Sequence, residues 1–205
     1  MAIGYSSIAP RAVVVALAAT TLAGCGVNSV PTAEEQAKAK WADVQAAFQE
    51  RSNLVGNLAA VASGAAGQEK SILTGVVEAR AKATSIQVNP GDLTDPAKMK
   101  AFQEAQGQLS GSLGGFGRLL ANVEAYPNLK SIDNYQMLQS QLEGIENRIR
   151  VAIRDYNEAV RQYNTTIRTF PSMMAAKVIY GSKPMVPYEA TTPGAEAAPS
   201  LEGKI

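Results

Sequence analysis

The chain has 205 residues, enough for one domain with a substantial core and terminal extensions. It contains no histidine and one cysteine, Cys25, which argues against histidine general-base catalysis, an internal disulfide framework and a cysteine-based zinc site. With 19 basic and 18 acidic residues the formal charge is +1, a balance that argues against electrostatic capture of nucleic acid. We therefore expect no catalytic, cofactor-binding or metal-binding residues and no nucleic-acid partner.

The N-terminal region consists of a basic residue followed by an apolar run. Arg11 precedes residues 12–24, which are apolar or small apart from two threonines. As a helix this run would be about 20 Å long, short of the roughly 30 Å hydrocarbon core of a bilayer. Its length is typical of the apolar region of a signal peptide.

Residues 22–25, with the sequence Leu-Ala-Gly-Cys, resemble the bacterial lipobox, in which the cysteine is lipidated before the signal is removed. We predict a lipoprotein signal peptide at 1–24, lipid attachment at Cys25 and a tether over 25–31. Two acyl chains suffice for stable attachment to a membrane, so the membrane is the first expected partner.

The residue after the cysteine bears on which membrane holds the protein. Gly26 is not the aspartate associated with retention in the inner membrane. In a bacterium with two membranes we therefore expect an extracytoplasmic protein on the periplasmic face of the outer membrane. The alternative is an uncleaved anchor over about 6–27, against which Pro10 and Arg11 count.

The first predicted helix spans about 33–87. Thr32 and Glu35 have the spacing of a capping box at its start. From Trp41 onward a seven-residue apolar pattern keeps its phase through the glycine segment 64–67. We interpret this phase as one long helix that can bend at the glycines, rather than as two helices.

Two further helices complete the predicted domain. The second covers about 96–125, with Asp95 as its cap and Pro96 at its first helical position. The third covers about 133–170. The predicted fold is all-α, an elongated antiparallel bundle of three long helices within a domain at 32–180.

The last helix carries a heptad repeat. Its apolar residues alternate in steps of three and four: Ile153, Tyr156, Val160, Tyr163, Ile167 and Phe170. Within this repeat an asparagine follows each tyrosine, at Asn157 and Asn164, and three arginines recur seven residues apart: Arg154, Arg161 and Arg168. Such a helix must bury its stripe against neighbouring helices.

The polar residues of this repeat are the candidate interaction or structural residues. The arginines beside the tyrosines and asparagines can line a groove for an anionic ligand, a lipid headgroup or an acidic partner. We favour the structural alternative, in which they pair with acidic residues of the adjacent helix and their stems cover the apolar seam. Asn157 and Asn164 are expected to satisfy the hydroxyl groups of Tyr156 and Tyr163 or to fix helix register.

Beyond Phe170 the chain changes character. A short apolar piece, 173–180, is expected to fold back onto the bundle or to touch the membrane. From 181 to 205 the composition is dominated by Pro, Ala, Glu, Thr and Gly, which predicts a disordered tail.

Several separate motifs occur in the order found in the LemA family of bacterial membrane-attached proteins, and the chain resembles that family over about 37–189. The motifs lie at 41–45, 51–58, 78–83, 125–130, 142–149, 154–157 and 168–172, with Lys183-Pro184 and Pro187-Tyr188-Glu189 in the tail. The resemblance implies a long antiparallel helical bundle, an N-terminal membrane anchor and a body outside the cytoplasm. It implies no enzymatic activity and supplies no catalytic residues.

The chain departs from the family pattern in two places. Gly56 stands where the family usually has proline, and the lipobox-like signal stands in place of a longer transmembrane segment. We therefore expect a non-catalytic, lipid-anchored protein of the cell envelope, acting as a helical scaffold or interaction module with a protein partner there. The alternatives are a helical module that binds a lipid headgroup or anionic ligand, and a single-pass membrane protein with an uncleaved N-terminal anchor.

Overall fold

In the computed structural model, which describes residues 8–65, 70–121 and 133–189, all regular structure is helical. The long helices are α1 (Ile8–Ala65), α2 (Lys70–Ser85), α3 (Pro96–Ala121) and α4 (Asp133–Thr166). A 3-10 turn, Pro90–Asp92, lies between α2 and α3. After α4 come a short helix, α5 (Ser172–Ala175), and a π-helical turn, Ala176–Tyr180. The predicted all-α class is confirmed.

The helices alternate in direction around the bundle. α1 and α4 are antiparallel, because Glu50 of α1 pairs with Arg148 of α4 at 2.9 Å while Ser29 meets Ser172, beyond the end of α4, at 2.8 Å. α3 runs parallel to α1 and antiparallel to α2. The described helices therefore form an up-down-up-down bundle in which α1 and α4 make the most extensive contact.

The predicted continuous first helix is wrong, because the chain reverses between α1 and α2. Trp41 donates its Nε1–H to the carbonyl of Val88 at 2.7 Å, and Arg80 donates its Nε–H to the carbonyl of Ser52 at 2.7 Å. Both contacts place α2 alongside α1 in the opposite direction. The described residues thus contain four long helices where three were predicted.

The apolar phase did not reveal this reversal because it reports which residues face a core, not whether successive segments are collinear. Both arms of a helical hairpin carry such a stripe and turn it toward each other. Val55 and Leu58 of α1 accordingly share a core cluster with Leu73 and Val76 of α2. The Arg80 side chain reaches across to α1 at Gly56, where a Cβ atom would lie 3.0 Å from its guanidinium carbon.

The helix boundary predicted at Thr32 is also wrong. α1 continues without a break through residues 25–31 and contains Pro31. The Thr32 hydroxyl donates to the carbonyl of Asn28 at 2.8 Å, a contact within the helix, while Glu35 accepts from Lys38 at 2.8 Å. Thr32 and Glu35 therefore lie on the surface of α1 and do not cap it.

The start of α3 follows the prediction. Pro96 occupies the first helical position, and a carboxylate oxygen of Asp95 accepts from the backbone N–H groups of Ala97 at 2.9 Å and Lys98 at 3.2 Å. These two N–H groups have no partner within the helix, so the aspartate satisfies them. α4 ends at Thr166, four residues before the predicted end at Phe170.

The main core is aromatic and lies between α1, α3 and α4. The Trp41 ring centroid is 5.4 Å from that of Phe102 and 5.0 Å from that of Tyr156. The heptad stripe supplies much of the remainder, since four of its residues on α4 are buried, together with Ile167 just beyond the end of that helix: Ile145, Ile149, Val160 and Tyr163. The prediction that this stripe faces the interior is confirmed for these residues and for Tyr156. It is wrong for Phe170, the last position of the stripe, which is 78% exposed because the helix ends before it.

Candidate functional site

Four polar side chains on α4 form what we call the Tyr/Asn ladder, defined as Tyr156, Asn157, Tyr163 and Asn164. The tyrosines are buried and the asparagines are half-buried. They face residues 181–189, which have no helical or strand structure. The sequence predicts disorder from residue 181, whereas 181–189 lie fixed against the bundle, and residues 190–205 fall outside the described part.

Each of the two asparagines binds both the backbone N–H group and the backbone carbonyl of a single residue. Asn157 donates its Nδ2–H to the carbonyl of Tyr188 at 2.8 Å, and its Oδ1 accepts the Tyr188 N–H at 2.8 Å. Asn164 does the same for Met185, donating at 2.8 Å and accepting at 2.9 Å. A side-chain amide thus takes the place that a neighbouring strand would have in a sheet.

The hydroxyl groups of the two tyrosines bind two other backbone carbonyls of the same segment. The Tyr156 hydroxyl donates to the carbonyl of Val186 at 2.8 Å, and the Tyr163 hydroxyl donates to that of Lys183 at 3.1 Å. The expected contact between the asparagines and the tyrosine hydroxyls is therefore wrong. Both residue types serve the backbone of the C-terminal segment instead.

The opposite side of the segment is bound by α3 and the turn before it. The Val186 N–H donates to the carbonyl of Leu93 at 2.8 Å, and Gln103 donates its Nε2–H to the carbonyl of Pro187 at 3.3 Å. Pro187 has no N–H to satisfy. Every backbone polar group from Met185 to Tyr188 therefore has a partner, which fixes the backbone of this segment against the bundle.

Seven-residue spacing on the helix matches three-residue spacing on the extended chain. From Asn157 to Asn164 the helix rises about 10.5 Å, and from Met185 to Tyr188 an extended chain advances about 10 Å. The two repeats therefore stay in register along the antiparallel contact. The ladder binds an extended backbone and has the geometry of a clamp for a peptide.

The side chains of the segment add apolar packing to these hydrogen bonds. Met185 is buried, and the Tyr188 ring packs against Phe48 and Phe102 with centroid distances of 5.8 and 6.5 Å. Burial raises the pKa of the Tyr188 hydroxyl to about 12 and also raises the pKa values of Tyr156 and Tyr163.

These shifts predict a loss of stability in alkali. The unfolded chain ionises its tyrosines near pH 10, whereas the folded chain keeps Tyr156 and Tyr188 protonated at that pH. Their contribution to stability is therefore present below about pH 10 and is lost as the pH rises toward about 12. Urea unfolding followed by circular dichroism should show a falling free energy of unfolding over this window.

Tyr156→Phe is the control for the alkaline effect. It lowers stability at pH 8, because the Val186 carbonyl loses its donor, and it should give a shallower decline above pH 10. Equal slopes for the two proteins would contradict an origin in the buried tyrosines.

The heptad arginines do not line a groove. Arg154 pairs with Asp155 at 3.0 Å, and Arg161 donates its Nε–H to Glu158 at 2.9 Å, so both bind carboxylates of their own helix. All three arginines are exposed, and Arg168 has no ion-pair partner among the residues that the structure describes. The predicted pairing with an adjacent helix is wrong, because the arginines face outward from α4.

A different arginine enters the interior. Arg51 is 2% exposed and donates to the side chains of Gln106 at 2.5 Å, Ser110 at 2.9 Å and Glu146 at 3.2 Å. Its guanidinium carbon lies 4.9 Å from the centroid of the Phe48 ring. Arg51 therefore joins α1, α3 and α4 in one polar layer. This layer lies between the main aromatic core and the cluster formed by Val55, Leu58, Leu73 and Val76.

Three other features are relevant to function: a metal site, a membrane-spanning helix and a lipid attachment site. Within 8–65, 70–121 and 133–189 no group of three carboxylates or thiols lies together in a way that could hold a metal ion. The helices in those ranges include none with an apolar stretch long enough to cross a bilayer. The side chain of Cys25 lies outside the described residues, so the predicted lipid attachment stays a prediction.

Comparison with known proteins decides the family. A family model described as LemA family matches residues 40–202. The chain belongs to the LemA family. The match includes the Tyr/Asn ladder and the segment that it binds.

Individual proteins are also similar to this chain in sequence. This LemA-family chain is similar to magnetosome protein MamQ 2 of Paramagnetospirillum magneticum, with 31% identity over 172 residues, 77% of this chain and 62% of that protein. It is similar to magnetosome protein MamQ of Magnetospirillum gryphiswaldense, with 30% identity over 159 residues, 70% of this chain and 58% of that protein. The chain thus spans about three fifths of the length of these relatives.

Proposed function

We propose that this protein is a membrane-anchored, extracytoplasmic component of the cell envelope that acts as a non-catalytic scaffold or interaction module. The observation that carries the proposal is the continuity of α1, which runs from Ile8 into the bundle. An anchor at its N-terminal end, whether lipid on Cys25 or an uncleaved segment over about 6–27, would join directly to a rigid rod. Family membership supports a role of this kind.

The interior of the bundle supports a non-catalytic role. Its polar groups are used in structure, since the Tyr/Asn ladder holds the C-terminal segment and Arg51 bridges three helices. The rod is long, because the 34 residues of α4 extend about 51 Å at 1.5 Å each. A rod of this length, fixed at one end, can hold a protein partner at a set distance from the membrane.

Substitution of the cysteine tests the anchor. Cys25→Ser should abolish incorporation of an alkyne fatty-acid analogue and either release the protein from membranes or leave its signal uncut, because the acylated sulfur is gone. The readouts are in-gel detection of the analogue, membrane fractionation and the mass of the mature protein. Ser29→Ala, four residues further along, is the matched control and should label as wild type does.

Equal labelling of wild type and Cys25→Ser would contradict lipidation. If both proteins also stay in the membrane at full length, the uncleaved anchor becomes the better account. Crosslinking in intact cells followed by mass spectrometry then identifies what the rod contacts.

A further inference from the structure

Large apolar side chains are exposed at one end of the bundle. We call this surface the apolar cap and define it by five residues: Phe170, Met174, Val178, Ile179 and Tyr180. Phe170 and Val178 are each 78% exposed. Among the described residues, the other exposed large apolar side chains, at Val77, Met137 and Val151, lie apart from one another in the sequence. A cluster of this kind on a soluble surface is uncommon and marks an interaction site.

The chain segment that carries the cap is fixed against the bundle. Ala175 and Ala176 are buried against the bundle, and the Ser29 and Ser172 hydroxyls share a hydrogen bond of 2.8 Å. The turn ends at Gly181, whose φ of +58° suits a residue without a Cβ atom and whose successor, Ser182, donates its N–H to the carbonyl of Ala176 at 2.9 Å. The apolar side chains therefore project from a fixed platform.

The position of the platform identifies what covers it. Ser29 lies four residues after Cys25 in the same continuous helix, which is about 6 Å along the helix axis. The apolar run at 12–24 ends one residue before Cys25. Any anchor in this region brings the cap to the membrane surface, since the interfacial layer on each side of a bilayer is about 5–7 Å deep.

The charge of the cap fits the same partner. Residues 168–188 include Arg168, Lys177 and Lys183, all exposed, and no acidic residue. On neighbouring α1, Glu34 and Glu35 are both paired with Lys38 at 2.8 Å. The surface around the apolar side chains is therefore basic, which attracts anionic phospholipid headgroups.

We propose that the apolar cap is a second membrane contact, inserting its side chains into the interfacial layer of the bilayer that holds the N-terminus, with anionic phospholipid as its ligand. The proposal rests on the membrane anchoring proposed above. With one attachment the rod would pivot about its anchor. With two attachments on neighbouring parts of the same end, the bundle stands at a fixed angle to the membrane and presents a constant face outward.

Tryptophan fluorescence in vesicles tests the contact. The full-length protein with Val178→Trp is reconstituted into phosphatidylethanolamine and phosphatidylglycerol vesicles, with or without bromine on the acyl chains. Bromine quenches tryptophan at short range, so we expect the emission of the added tryptophan to fall by at least half. The wild-type signal, from the buried Trp41 alone, is measured separately and subtracted.

Val77→Trp is the matched control. Val77 is an exposed valine, 49% accessible, one turn before Arg80, which binds Ser52. Ser52 lies about 34 Å along α1 from Ser29. The tryptophan at position 77 should therefore show no quenching by brominated chains in the same vesicles.

A second substitution guards against a local artefact of the new tryptophan. Ile179→Asp in the Val178→Trp protein places a charge in the layer that the cap is proposed to enter, and it should remove the quenching while the circular dichroism spectrum stays unchanged. Quenching that persists in this variant would contradict insertion of the cap. Vesicles of neutral phosphatidylcholine should quench less than anionic vesicles, and equal quenching would overturn the assignment of anionic lipid.

Flotation of the vesicles separates failure of the cap from failure of the anchor. If the protein floats with the vesicles and position 178 is quenched no more than position 77, the cap proposal is overturned and the anchor stands. If the protein does not float, both fail. A blue-shifted emission at position 178 that ignores bromine, together with a crosslinked dimer, would show that a second copy covers the cap and would also overturn the proposal.

Discussion

Replacing both Asn157 and Asn164 by alanine is expected to release residues 183–188 from α4 and to lower the free energy of unfolding by about 2–4 kcal/mol. The double variant loses all four hydrogen bonds that the two amides make with the backbone of Met185 and Tyr188. Released residues can find water as a partner, so the loss is bounded by the docking energy of the segment. Urea unfolding measures the total effect.

Hydrogen exchange locates the effect of the double variant. The amides of Met185 and Tyr188 should lose most of their protection, whereas those in the middle of α4 should keep it apart from the general fall in stability. Gln162→Ala, an exposed change on the same helix, is the control and should alter stability by no more than about 0.5 kcal/mol. Persistent protection of the two amides in the double variant would show that the ladder does not hold the segment.

An isosteric variant separates the donor from the acceptor. In Asn157→Asp the carboxylate can still accept the Tyr188 N–H, but it presents an oxygen instead of an N–H group to the Tyr188 carbonyl. Segment release should therefore be strong at neutral pH and weaker in mild acid, where a protonated carboxyl group restores a donor. Release that is the same at both pH values would indicate that packing, not the donated hydrogen bond, is what the variant disturbs.

The ladder shows how far a heptad pattern can be interpreted. The repeat correctly predicts that Tyr156, Val160 and Tyr163 are buried, because apolar periodicity fixes which face of a helix is covered. It does not say what covers that face, and a helix was the expected neighbour. The partner for the polar positions is an extended segment, whose bound residues Met185 and Tyr188 lie three residues apart and so match the seven-residue spacing of the asparagines.

Composition was a poor guide to the C-terminal segment for a related reason. Residues 181–189 are rich in proline and polar residues, which predicts disorder when burial of their own side chains is the only source of order. Here the order comes from side chains of α4 that bind the backbone. Composition contains no information about such donors, whereas the paired spacing of Asn157 with Asn164 contains some.

The interior position of Arg51 was equally hard to anticipate. In the sequence it occupies a polar position in an otherwise apolar stripe, and a long basic side chain usually reaches solvent from such a place. Its burial requires acceptors from two other helices at one level, here Gln106 and Ser110 of α3 and Glu146 of α4. No single segment of the sequence shows that coincidence.

Trp41→Ala is expected to lower the free energy of unfolding by about 3–5 kcal/mol, a large fraction of the roughly 5–15 kcal/mol that is typical of a folded protein. Trp41 is fully buried, and its ring packs against Phe102 of α3 and Tyr156 of α4. Truncation would leave a cavity where three helices meet. Urea unfolding followed by circular dichroism measures the loss, and Val77→Ala, at an exposed site on α2, should change stability by no more than about 0.5 kcal/mol.

Trp41→Phe separates the ring from its hydrogen bond. The Val88 carbonyl accepts from Trp41 at 2.7 Å and also from the Nε2–H of Gln45 at 3.1 Å, so loss of the indole N–H leaves it with one donor. Trp41→Phe alone should therefore cost well under half of what Trp41→Ala costs. Adding Gln45→Ala to Trp41→Phe removes both donors, and the combined loss should exceed the sum of the two single losses by about 1 kcal/mol, because only the double variant leaves a buried carbonyl unsatisfied. Additive losses would mean that water reaches the Val88 carbonyl and that it needs neither donor.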